Sequence, residues 1–351
     1  MWKWKRVLVL SLAAILTAGL CSAIPAVAGE SASTITMVDS AERVVELPYP
    51  LERVVVINPP VAEVMLALGV ADSVVGTTGS VAKKLELGAF SDTPQVARSA
   101  HGEPDLERIL ELSPQAVITY GTHPAVDIQQ LADTLAPAGI AVVGIDAYKL
   151  DTLYRDILTL GMLFDKLPDA AELIVFFQDT LETVEEKVSQ IAGKGPRVYA
   201  EQHGEGAYGP GSEWDEIIGM AGGINIFADA PMPYFEADPE VVLERNPQVV
   251  LKDTRRTPPI GYGITDPEPI KSYLDELVAR PGWDALDAVQ NGRVYLISTS
   301  IGAGPRKIFM VPYLAKIFYP ELEIDPEVLL RNYHETFLGV EHWGIFVYPA
   351  P

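Results

Sequence analysis

Two arginines side by side, Arg255 and Arg256, stand in a short polar stretch, Lys252-Asp253-Thr254-Arg255-Arg256-Thr257-Pro258-Pro259, directly after an apolar run. Guanidinium groups bind carboxylates and catecholates through paired, charge-assisted hydrogen bonds, so this loop is a candidate anion site. Neighbours in an extended segment point opposite ways, so one of the two is expected at a ligand and one on the surface. Arg306 opens a helical pattern, where the helix dipole does not explain a cation. Tyr120, Tyr148, Tyr208, Trp214 and Tyr234 fall in loops and could stack on a flat chelate or simply pack. His101, His123 and His203 also fall in loops, while His334 and His342 lie in the tail. No pair has the close helical spacing of a zinc site, so a bare-metal receptor using these histidines with Glu205 or Glu236 stands only as an alternative. A Gly-x-Ser-x-Gly elbow, a His-Glu-x-x-His helix and a phosphate loop are all missing, which sets an exported hydrolase further back and predicts a protein that is not an enzyme.

The elements that must hold these residues come as a repeat. Pro104 to Ile118 (PDLERILELSPQAVI) returns as Ala237 to Leu251 (ADPEVVLERNPQVVL), with Asp105 matching Asp238, Glu107 matching Glu240, Glu111 matching Glu244 and Pro114-Gln115 matching Pro247-Gln248. A register kept through helix, turn and strand predicts two similar lobes with a cleft between them. Around each copy, continuous β-branched runs such as 53–57, 116–120, 141–145, 197–200, 249–251 and 293–297 alternate with amphipathic stretches. That is the pattern of parallel sheets covered by helices, an α/β class with doubly wound lobes. Thr34 to Leu47 alternates as a hairpin around Asp39-Ser40-Ala41. From Asp169 onward Leu173, Phe177, Leu181, Val184, Val188 and Ile191 keep helical spacing over a stretch long enough to run from lobe to lobe. The domain reading is therefore 29–167 for the first lobe, 168–195 for the joining helix and 196–351 for the second.

Residues 1–28 read as a leader: Lys3, Lys5 and Arg6, an apolar run from Val7 to Leu20, then Ala26-Val27-Ala28. The sole cysteine, Cys21, lies within it, so neither thiol nor disulfide is expected in the exported chain. The whole chain carries a formal charge of −22, and the leader holds three basic and no acidic residues, leaving −25 on the remainder. Such acidity argues against nucleic acid as a partner.

Thr34 to Val56, the segment Glu63-Val64-Met65-Leu66-Ala67-Leu68-Gly69, Gly222 to Phe227, and Gly304-Pro305-Arg306 with Tyr313-Leu314-Ala315-Lys316 resemble the ferric-siderophore, haem and cobalamin periplasmic binding proteins of ABC importers. The resemblance runs from about 34 to 340. It implies two α/β lobes on one long helix, a monomer with no intrinsic cofactor, a metal chelate as cargo, and a permease with its ATPase as partner. It also implies that Glu107 and Glu240 meet arginines of the permease. The general rule that ligands sit outside the carboxyl ends of strands selects the loops bearing Asn58, Thr78, His101, Tyr120, His123, Tyr148, His203, Tyr208, Tyr234, Arg255, Arg256 and Arg306.

Overall fold

The computed structural model describes residues 33–255 and 257–351, which form one compact unit; the expected leader, Cys21 and Arg256 lie outside the described residues. Two sheets carry the chain. In the first half the strands Gln95–Ala97, Val74–Thr78, Val54–Val56, Ala116–Thr119 and Ala141–Gly144 lie side by side in that order, all parallel. The order reverses at Val54–Val56, which makes the carboxyl ends of the central strands the natural binding edge. In the second half Ile224–Asn225, Arg197–Glu201, Val249–Thr254 and Val294–Ser298 form a parallel centre. Antiparallel strands Gly206–Tyr208, Tyr234–Glu236 and Val347–Tyr348 are added at its margins. The expected hairpin is present as Thr34–Val38 paired with Val44–Pro48.

The strand residues are apolar on both faces because each sheet is covered on both sides. Val55, Val117 and Val142 face one local core, and Tyr199, Val250 and Leu296 face another. The alternate residues, Val54, Val56, Ile118, Val198 and Leu251 among them, share a single larger core with the helix Leu167–Ser189. That helix has 23 residues, about 35 Å at 1.5 Å each, and buries Leu173, Phe177, Leu181 and Val184 against the helices Leu153–Leu163 and Met310–Phe318. A rigid, packed helix joins the halves where a flexible linker would leave them free to swing.

The repeat in sequence is a repeat in its fastenings. Asp105 caps the helix Leu106–Leu112 by accepting from the Arg108 amide at 3.0 Å, and Asp238 caps Pro239–Arg245 by accepting from the Glu240 amide at 2.9 Å. Each helix ends on a left-handed residue, Ser113 (φ 46°) and Asn246 (φ 40°). Gln115 Oε1 accepts from the Arg53 amide at 2.9 Å, and Gln248 Oε1 from the Arg197 amide at 3.1 Å. The arginines answer by donating to the helix ends, Arg53 to the Leu112 carbonyl at 2.8 Å and Arg197 to the Asn246 carbonyl at 2.7 Å. Orphan carbonyls of each last turn are thus satisfied by the same residue type in both halves.

Candidate functional site

A cleft of about 260 Å³ lies between the halves, lined by Pro59, Pro60, Glu63, Lys84, His101, Tyr120, His123 and Tyr148 from the first and by Glu213, Gly302, Ala303, Gly304, Arg306 and Lys307 from the second. Its first wall is aromatic. His101 stacks on His123 with ring centroids 4.1 Å apart and planes 20° apart. His101 also stacks 5.5 Å from Tyr120, whose edge meets Tyr148 at 5.7 Å. Three loops present these rings, and the last two are fastened to each other. Asp146 ties them together by accepting from the Gly121 amide at 2.9 Å, the Thr122 amide at 3.1 Å and the Thr122 hydroxyl. Asp156 accepts from the Ala147 amide at 2.9 Å, which holds Ala147 at φ 52° and aims the next residue, Tyr148.

The second half contributes a further aromatic group. Tyr208 stacks on Trp214 at 5.1 Å and meets Tyr234 edge-on at 6.0 Å. Tyr208 is buried and donates to Asp253 at 2.7 Å, while Tyr234 is half exposed. Burial raises the pKa of Tyr234, with Glu213 and then Tyr148 adding to it. His101 is depressed by burial first, then by His123 and by Arg255. Arg255 is exposed, and neither it nor Tyr208 or Tyr234 is among the residues lining the cleft.

The floor is ionic. Arg306 is fully buried and donates from Nε to Glu63 at 3.1 Å and from Nη1 to Glu86 at 2.9 Å. The Tyr333 hydroxyl donates to Glu63 at 3.0 Å. Burial pushes the Glu63 carboxyl up, against the pull of Arg306. At Glu86 burial pushes the same way, but Arg306 and Lys84 outweigh it and hold the carboxyl down at about 2. Lys307 reaches across to the Tyr148 carbonyl at 3.0 Å and pairs with Glu213 at 2.7 Å. Buried ion pairs thus tie the two halves together at the back of the cleft.

Of the residues singled out in the sequence, His101, Tyr120, His123, Tyr148 and Arg306 line the cleft. Asn58 and Thr78 are buried and turned inward: Asn58 donates to the Ile145 carbonyl at 2.7 Å, and Thr78 caps a short helix through the Val81 amide at 3.3 Å. His203 is exposed on the loop after Arg197–Glu201 and is not among the residues lining the cleft. Sequence reasoning passed over Glu63, Lys84, Glu86, Glu213 and Lys307. A lone carboxylate in the otherwise apolar Pro59–Ala67 helix was the available signal for Glu63.

The stacking of His101 and His123 bears on metal chemistry. An imidazole binds a metal in its ring plane, and two nearly parallel planes about 4 Å apart have no shared point within ligand distance. Among the described residues no group of three or more His, Cys, Asp or Glu could hold a metal ion. The arrangement instead forms an aromatic shelf in a cleft with an ionic floor.

Two doubly wound lobes on one long helix, with a ring-lined cleft between them, define a solute-binding type of architecture. The profile of the family described as "Periplasmic binding protein" matches residues 54–300, and the chain belongs to that family. Among curated relatives, a vitamin B12-binding protein of Yersinia pestis (strain Pestoides F) is 25% identical over 208 residues, covering 57% of this chain and 69% of that protein. Among solved structures, the TroA-like periplasmic binding protein FepB from Veillonella parvula superposes with a TM-score of 0.73 at 25% identity, covering 89% of this chain and 99% of that one. The molybdate-bound MolA of Haemophilus influenzae shares the fold at a TM-score of 0.69 and 17% identity, over 88% of this chain and 99% of that one. No helix among the described residues is long and apolar enough to cross a membrane.

Proposed function

We propose that this protein captures a metal chelate, an iron-siderophore, haem or cobalamin, outside the cytoplasmic membrane and hands it to an ABC permease driven by its ATPase. The observation that carries this reading is the ring-lined cleft, with His101, His123, Tyr120 and Tyr148 along one wall. Rings offered face-on and edge-on suit a large conjugated or hydrophobic cargo. Arg255, exposed just after the strand Val249–Thr254, is the proposed partner of an acidic periphery. The cleft, about 260 Å³, lies just under the ~300–1,000 Å³ usual for ligand pockets. A chelate of this class would therefore be held with part of its surface in solvent, or with the walls parted. The relatives that bind vitamin B12 support the same class of cargo.

Glu107 and Glu240 are the proposed posts for the permease. Both are exposed in the first turns of the two equivalent helices, at matching places on the two halves. A partner with twofold symmetry can meet both with the same surface. The absorption spectrum of the protein purified from its host, followed by titration with a ferric catecholate, a ferric hydroxamate, haemin and cyanocobalamin, tests the cargo. Saturable one-to-one binding of one of the four is the expected result. A colourless protein that binds none of them refutes it.

A further inference from the structure

The cleft floor holds a donor with nothing to donate to. Arg306 Nε and Nη1 are both engaged, but Nη2 is buried and has no hydrogen-bond partner. A buried guanidinium N–H left unpaired is costly, and fold geometry does not explain it, because the side chain already has its structural contacts. Lys84 lines the same floor with its ammonium only loosely held, 3.6 Å from Glu86 Oε1. Gly302, Ala303 and Gly304 form the adjoining wall, where small side chains leave the space open.

We infer that the floor of the cleft is an anion subsite, in which Arg306 Nη2 and Lys84 Nζ take a carboxylate or mineral oxyanion belonging to the cargo. The inference rests on the preceding reading only in taking this cleft as the cargo site. Arg306 and Lys84 both bear on Glu86 and hold its carboxyl down, while burial works against the charged form of Glu63. Burial and the nearby Arg306 also depress Lys84, and an incoming anion would offset both effects. An anion there would sit beneath the aromatic shelf. The cargo this predicts has a ring face for the rings and an acidic arm for the floor. A free oxyanion small enough for the floor would use the same donors.

The experiment separates these sources with five probes: haemin, its dimethyl ester with the same ring but capped acids, and molybdate, phosphate and acetate alone. Binding is read by quenching of intrinsic fluorescence and by the shift in thermal midpoint, on wild type, Arg306→Lys and Lys84→Gln. Lysine keeps a charge for Glu63 and Glu86 but loses the planar fork; Lys84→Gln serves should that variant not fold. An acidic arm predicts that haemin binds at least about tenfold more tightly than the ester, the value of one charged hydrogen bond, and that both variants erase most of the difference. If neither porphyrin binds but a free oxyanion stabilises wild type and not Lys84→Gln, the subsite stands and the flat chelate is excluded. Haemin and ester bound alike in all three proteins overturn the subsite while leaving the chelate reading in place. No response to any of the five overturns the subsite.

Discussion

Replacing Glu86 by glutamine probes how the buried ionic floor contributes to stability. The Glu86 carboxyl accepts from Arg306 Nη1 at 2.9 Å and is held at about 2, against an ordinary 4.5. At 1.36 kcal/mol per tenfold change in proton affinity, that drop amounts to about 3 kcal/mol of folding free energy. A depressed carboxyl stabilises fully above its unfolded value, and the contribution is lost as pH falls from 4.5 towards 2. Unfolding free energies from urea titrations of wild type and Glu86→Gln should therefore differ by about 3 kcal/mol at pH 7 and converge as the pH approaches 2. Glu63 acts in the opposite direction, since its raised pKa means folding strains its charged form and relaxes as pH falls. Repeating the pair in a Glu63→Gln background removes that opposing slope. A gap between wild type and Glu86→Gln that stays constant from pH 7 to pH 3 would refute the electrostatic reasoning.

Three further perturbations are independent of it. A β-carbon at Gly195 would lie 1.7 Å from the Gly222 carbonyl oxygen, so Gly195→Ala should cost about 1–3 kcal/mol by thermal melting. His334 is buried, bonds through Nδ1 to His342 Nδ1 at 2.8 Å, and is depressed to about 3, mainly by burial and then by Arg306 and His342. Because the unfolded chain protonates first, His334 makes stability fall as pH drops below 6.5, and His334→Leu should flatten the wild-type slope between pH 6 and 4; parallel slopes would contradict this. Glu107→Ala with Glu240→Ala should leave cargo affinity unchanged and stability within about 0.5 kcal/mol, yet lower uptake in cells; undiminished uptake would remove the docking proposal.

The sheets and the long helix were legible because their residues obey short periods. Val54-Val55-Val56 and Ala116-Val117-Ile118 are apolar throughout, as strands covered on both faces must be, and Leu173, Phe177, Leu181 and Val184 keep one helical face. The segments at 79–90, 206–208, 234–236 and 326–336 passed unnoticed, the first because its short helices, Gly79–Ala82 and Leu85–Phe90, have no room for a period. The rule that ligands meet the loops after strands pointed to several loops that do line the cleft, but it says nothing of the direction of each side chain. His101 and Tyr120 turn into the cleft, whereas Asn58 and Thr78, on equally well-placed loops, turn into the fold. The floor was out of reach for a different reason. Arg306 meets Glu63 and Glu86 across 243 and 220 residues, and no local pattern records a contact so distant in sequence.

The doubled fastenings, Arg53 with Gln115 and Arg197 with Gln248, allow the two halves to be laid over each other and their differences read off. In the first half Val54–Val56 leads almost at once into the helix Pro59–Ala67; in the second, residues 202–212 intervene before Glu213–Met220. Conversely, 79–90 in the first half carries two short helices, where the second passes from Ile224–Asn225 to Tyr234–Glu236 by a helix-free loop. The first insertion supplies His203 and Tyr208, and the other supplies Lys84 and Glu86. The copied chassis bears the surface glutamates, and of the cleft lining Lys84 alone comes from an insert, while His101, Tyr120, Tyr148 and Arg306 stand outside both. A change of cargo therefore has to rework the loops of the common frame, and exchanging the two inserts would leave most of the cleft as it is.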